Sequence, residues 1–242
     1  MKIQLSGLVK IAQFFLLLTV LLGLPNQAKA ITFAGKADGE WSLPPNASPQ
    51  YTSITDENGG NNNRMSWGEA SPGNFSSYVQ FDGVNFSTEI NKFFDIGTLY
   101  YRNGTTYVDS NFDGDFSLGL NLSLTLPFAN RQTFSFLFNI LNTPNTTGNP
   151  VLDGDRLRFS TAGISSHTFE YEGNDYTLQL MGFSTNNGRT IVKEFNSPEG
   201  ATAKAFLYGQ IIAASPVSVP EPVSLVSLLL LGIYLVLRKL PK

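Results

Sequence analysis

The sequence contains no cysteine and a single histidine, His167. The first absence excludes disulfide scaffolds, thiolate zinc sites and a cysteine nucleophile, and the second excludes any centre built on several histidines. Charge is sparse as well: Asp, Glu, Lys and Arg make up 14% of the 242 residues. Against that scarcity stand 42% hydrophobic and 12% aromatic residues, enough apolar surface to offset the ordering entropy of a packed core. A disordered solvating chain is excluded, and the length fits one globular domain plus sorting segments. The middle of the chain also lacks an amphipathic helical pattern of useful length, which argues against α/β and bundle folds. Internal repeats are missing too: Phe33-Ala34-Gly35, Phe81-Asp82-Gly83 and Phe112-Asp113-Gly114 share a shape but no period.

The long apolar runs sit at the two ends. Lys2 and Lys10 form a basic region, Ile11 to Leu24 an apolar run, and Ala28-Lys29-Ala30 a small-residue cleavage site. Residues 1–30 therefore read as a signal peptide, with signal peptidase leaving Ile31 as the mature N-terminus. An uncleaved anchor is the alternative, against which stand the shortness of the run and Pro25 at its end. At the other end, Val219-Pro220-Glu221-Pro222 precedes the apolar stretch Val223 to Leu237 and then Arg238 and Lys239. Fifteen helical residues reach about 22 Å, short of a ~30 Å hydrocarbon core, so the expected transmembrane helix over 223–237 is a weak anchor. The positive-inside tendency keeps Arg238 and Lys239 cytoplasmic and leaves residues 31–219 on the outer side of the inner membrane.

Pro220-Glu221-Pro222 followed by a short apolar helix containing Leu231-Gly232-Ile233-Tyr234 and a basic terminus resembles the PEP-CTERM sorting tail of Gram-negative bacteria. The resemblance covers about the last 24 residues. It implies processing near the Pro-Glu-Pro by an exosortase and delivery to the cell surface or extracellular matrix. A Pro-rich linker before an ordinary tail anchor is the alternative.

Setting the ends aside removes six of sixteen cations and one of nineteen acids, so residues 31–219 hold ten cations against eighteen acids, a net charge of −8. Nucleic acid and anionic lipid are poor partners for such a domain. Divalent cations are better ones.

Phe116, Leu118, Leu120, Leu122, Leu124 and Leu126 are apolar at every second position, with Ser, Gly, Asn and Thr between them, the period of a half-buried strand. After a turn around Pro127 to Arg131 the pattern resumes at Phe134, Phe136, Phe138 and Ile140, so the two segments form an expected hairpin facing one core. Shorter alternations at Leu157 and Phe159, Phe169 and Tyr171, Tyr176 to Leu180, and Phe206 and Tyr208 mark further strands, as do 77–81 and 98–102. Clusters of Gly, Asn, Asp and Pro at 58–63, 142–150 and 186–188 supply the turns. The expectation is a single antiparallel, jelly-roll-like β-sandwich over residues 31–215, with the sorting tail over 216–242.

Several landmarks resemble the choice-of-anchor K domain, an exported β-sandwich module: Phe33-Ala34-Gly35 with Gly39-Glu40-Trp41, Met65-Ser66-Trp67-Gly68, residues 77–83, and the run from Phe94 to Gly104. The likeness spans most of residues 31–212 and implies no assigned activity and no catalytic set.

His167, in Ser165-Ser166-His167-Thr168-Phe169, lacks a G-x-S-x-G elbow and reads as a surface strand residue. Paired carboxylates for glycan hydrolysis need only meet in the fold, and among Glu40, Glu69, Glu89, Glu170, Glu172 and Glu194 nothing singles out a pair. Trp41 and Trp67 lie in Gly-rich and Asn-rich surroundings, where they serve either as core packing or as exposed rings for sugar stacking. Asp109, Asn111, Asp113 and Asp115, with Gly114, match the first half of a calcium loop. Leu120 at the twelfth position and a following strand reject an EF-hand, leaving an atypical calcium site or a polar turn. Together these residues describe a non-enzymatic surface or matrix protein for display or adhesion within extracellular polysaccharide. A carbohydrate-binding module is the alternative, and a glycan-active enzyme the third reading; no cofactor is required.

Overall fold

A computed structural model describes residues 31–42, 52–55, 62–164 and 167–214 of the chain. The chain divides into Met1–Ile31 and Thr32–Lys242, and every described strand belongs to the second unit. The cleavage-site residues Ala28 and Ala30, the motif Val219, Pro220, Glu221 and Pro222, the basic Arg238 and Lys239, and the expected helix over 223–237 lie outside the described residues. Among the described residues no helix is long and apolar enough to cross a membrane.

The domain is all-β, built of two antiparallel sheets. The first holds β1 (Thr32–Ser42), β5 (Asn85–Glu89), β7 (Gly114–Leu126), β8 (Asn130–Leu141), β9 (Asp155–Ile164) and β12 (Glu194–Ser197), in the order β12-β9-β8-β7-β1-β5. The second holds β2 (Thr52–Thr55), β3 (Asn62–Trp67), β4 (Ser77–Gly83), β6 (Phe93–Arg102), β10 (Thr168–Tyr171), β11 (Asn174–Ser184) and β13 (Thr202–Ala213), in the order β10-β11-β13-β6-β4-β3-β2. A 3-10 turn at Val108–Ser110 precedes β7.

Strict period-two patterning sets the longest hairpin. Leu118 pairs with Phe136 and Leu120 with Phe134, and Phe116 to Leu124 and Phe134 to Ile140 bury every second residue as expected. Leu126 does not: it is exposed, because it stands at the turn beyond the last layer of the core. In β13 the strand is present but its expected face is reversed. Ala205, Leu207 and Ile211 are buried, whereas Phe206 and Tyr208 lie on the outer side. Small residues stand at inward positions there because neighbouring side chains leave little room; a Cβ on Gly209 would stand 2.3 Å from Ile96 Cδ1 on the adjacent β6. The same closeness governs Gly39, where a Cβ would meet Phe81 Cδ1 at 2.6 Å.

Between the sheets the core is aromatic. Trp41 packs on Phe116 and Phe138, Phe138 meets Phe159 and Phe183, and Phe33 meets Phe169 and Tyr176. Edge-to-face and tilted contacts of this kind add to burial and fix relative ring positions. Polar bonds tie the sheets as well: Trp41 Nε1 donates to Asn63 O at 2.8 Å and Asn63 Nδ2 to Asp38 Oδ1 at 2.9 Å, both linking β1 to β3.

Candidate functional site

The two tryptophans are core residues. Trp41 is 3% exposed and Trp67 1%, the latter against Tyr101 and Phe112. Neither ring is exposed, so of the two roles open to this pair packing is the one their burial supports, not sugar stacking.

The four residues of the calcium-like loop are separated by the geometry of the strand that follows. Asp109 is exposed in the 3-10 turn, and Asn111 Oδ1 accepts from the Phe112 amide at 2.9 Å. Asp115 is already in β7, where Oδ1 accepts from Asn139 Nδ2 and Oδ2 from Ser160 Oγ, each at 2.7 Å. Among the described residues no group of three His, Cys, Asp or Glu side chains is placed to hold a metal ion. Each Asp115 oxygen therefore already accepts one hydrogen bond from a neighbouring strand.

Asn111 and Asp113 instead line a cleft of about 350 Å³ at one end of the sandwich, with Thr106, Val108, Thr143 and Asn145. Behind Thr143 lies a carboxylate with a perturbed pKa. Asp155 is buried, and burial pushes its pKa up to about 6 against the opposing pull of its hydrogen bonds. Oδ1 accepts from the Thr143 amide at 2.8 Å, and Oδ2 accepts from Tyr101 Oη at 3.1 Å. Burial and then the nearby Asp155 hold the Tyr101 hydroxyl well above its ordinary range. Oδ2 thus joins β9 to β6, and Oδ1 ties β9 to the loop that follows β8. His167 is exposed, with its ring edge-on to Phe134 at 5.4 Å.

A different surface carries aromatic rings toward solvent: the outer face of the seven-stranded sheet. On β4, β6 and β13 the inward positions are taken by Val79 and Phe81, Leu99 and Tyr101, and Leu207, so Tyr78, Tyr100, Phe206 and Tyr208 point outward and are half-buried. Register places them on a diagonal. Tyr78 lies opposite Arg102, Tyr100 opposite Gln80 and Lys204, and Phe206 opposite Thr98. Each step from Tyr78 to Tyr100 to Phe206 moves one strand across and two residues along, about 8 Å between Cα positions.

Cations stand against these rings. The Arg102 guanidinium lies 3.2 Å from the centroid of Phe75 and 5.9 Å from that of Tyr78, which Arg64 also approaches at 5.4 Å. Lys204 Nζ lies 5.7 Å from the Tyr100 ring and 5.0 Å from Phe206. Farther along, Asp95 pairs in register with Tyr208. Burial raises the Asp95 pKa, while the Gly97 amide and Lys204 pull it back. The sequence carried a signal of this face: Leu99-Tyr100-Tyr101 and Phe206-Leu207-Tyr208 put large apolar groups at successive positions, so both faces of those strands must be covered or functional.

In comparisons with known proteins, the chain matches no family model and no curated protein.

Proposed function

We propose that this is an exported surface or extracellular-matrix protein that adheres within extracellular polysaccharide through the outer face of its seven-stranded sheet. The observation that carries the reading is the solvent-facing diagonal of Tyr78, Tyr100 and Phe206. Flat rings on a rigid sheet stack on the C–H faces of sugars with little ordering cost, and the half-buried Gln80 and exposed Thr202 beside them supply amide and hydroxyl groups for sugar oxygens. This face favours the carbohydrate-binding reading over simple display, and the commitment of Asp155 to Tyr101 and Thr143 favours binding over hydrolysis.

Export rests on the signal-peptide pattern ending at Ala30, and sorting on the resemblance of residues 219–239 to a PEP-CTERM tail. Signal peptidase and an exosortase are the processing partners, and an inner-membrane intermediate with the domain facing the periplasm precedes release to the surface. The chain changes sheet at each step from β4 to β7, which supports a jelly-roll-like reading of the sandwich, although β2-β3-β4 and β7-β8-β9 run as meanders within one sheet.

Fractionation of the native cells tests the proposal. The protein is expected in the polysaccharide-containing matrix, beginning at Ile31 and shortened near Pro220-Glu221-Pro222. Recovery in the cytoplasm with Met1 retained would overturn it.

A further inference from the structure

We infer that the polysaccharide bound by this face is acidic, a polyuronate whose carboxylates meet Lys204 and Arg102 while its sugar rings lie on Tyr100 and the rings beside it. The inference rests on the reading of this face as the glycan-binding surface and adds the charge class of the ligand.

The charge distribution carries it. Residues 31–219 hold only ten cations against eighteen acids, yet three of the ten stand on two adjacent rows of one sheet face. One row runs Ser66, Tyr78, Arg102, Thr202, and the next Arg64, Gln80, Tyr100, Lys204. Neither row holds a carboxylate. The acids begin beyond them, at Asp82, whose Oδ1 accepts from Gln80 Nε2 at 2.7 Å, and at Asp95. The second row crosses four strands, about 14 Å from Arg64 to Lys204, and sets an aromatic ring and an amide between two cations.

A neutral glycan would need the rings and the amide alone. Rings that each carry a cation at 5 to 6 Å suit a polymer in which every apolar sugar face has an anion at its edge. The net acidity of the domain disfavours non-specific binding of such a polymer, so attraction depends on local rows such as these. Lys204 is exposed, and its ammonium stands over the Tyr100 and Phe206 rings within reach of solvent.

The test uses the full-length chain in mild detergent and three polymers: polygalacturonate, its fully methyl-esterified form, and polyglutamate. Binding to polygalacturonate is expected to exceed binding to the ester by about tenfold, the scale of one charge-assisted hydrogen bond, and to fall with added salt. Lys204→Gln should remove most of that preference without changing the melting temperature, since the side chain is exposed. Tyr100→Ala should weaken both galacturonan forms. Equal binding of acid and ester, unaffected by Lys204→Gln, would overturn the acidic assignment and leave the glycan-binding surface standing. Equal binding of polygalacturonate and polyglutamate would overturn the role of the rings, and no binding to either galacturonan would overturn both readings and leave the cation–ring contacts as sheet stabilisation only.

Discussion

Trp41 and Trp67 are equally deep in the core and differ in one atom's fate. Trp41 Nε1 has the Asn63 carbonyl at 2.8 Å, whereas Trp67 Nε1 is buried with no hydrogen-bond partner. Both lose similar apolar area on conversion to Phe, but Trp41→Phe also gives up a bond across the sheets, while Trp67→Phe relieves an orphan donor. Trp41→Phe should therefore be the more destabilising by about 1 to 3 kcal/mol, read from urea unfolding midpoints. Equal losses would mean that Trp67 Nε1 has a partner such as a bound water. Asp155 makes a second residue-scale prediction through linkage. Its folded pKa of about 6 lies above the ordinary carboxylate value, so the folded state holds the proton more tightly than the unfolded one. Its contribution to stability is full below the unfolded value and is lost as pH rises through about 6. The melting temperature of the wild type relative to Asp155→Asn should fall between pH 4 and pH 7, opposite in sign to ordinary acid denaturation. A difference that is flat or rises over that range would show that the buried carboxylate is not held in its protonated form.

At the scale of the strand, the β7–β8 hairpin separates buried and outer positions sharply. Leu122 is fully buried, while Asn121 beside it faces out and accepts from Thr133 Oγ1 at 2.7 Å. Leu122→Ala should cost about 2 to 5 kcal/mol, with Asn121→Ala below about 1.5 kcal/mol, as measured by thermal unfolding. This hairpin was legible in the sequence because only one of its faces is apolar, so period and orientation are the same information. β6 and β13 were less so: Leu99-Tyr100-Tyr101 and Phe206-Leu207-Tyr208 are apolar on both faces, and residue type alone does not choose between them. Size and spacing chose, with Ala205 and Gly209 on the inner side, where Ile96 and Leu178 of the adjacent strands crowd Gly209, and Phe206 and Tyr208 left outside. The site was illegible for the same reason. Tyr78, Tyr100 and Phe206 belong to three strands, and only the registers Gln80 with Tyr100 and Lys204 with Tyr100 bring them onto one diagonal. The tryptophans, rarer and set among Gly and Asn, were the more visible candidates and proved to be packing. The Asp109 to Asp115 spacing was likewise visible, but the start of β7 at Gly114 turns Asp115 to Asn139 and Ser160.

Across the whole domain, the first and last strands occupy interior places. β1 lies between β7 and β5, and β13 between β11 and β6, so neither sheet is complete until residues far apart in the chain have paired. Sheet closure and core formation are then one event, and all the buried core among the described residues lies between Phe33 and Ile211. A chain of residues 31–215 should accordingly melt in one cooperative transition within about 4 °C of the full-length protein, the shift that about 1 kcal/mol produces in a domain of this size. A chain ending at Ala201 keeps twelve of the described strands but loses β13, which leaves the facing edges of β6 and β11 unpaired and removes Ala205, Leu207 and Ile211 from the core. It should show no cooperative melting and should bind a dye for exposed apolar surface. Cooperative melting of this shorter chain would mean that the six-stranded sheet and the β2–β6 portion hold a core without β13, and the domain would then be two folding units rather than one.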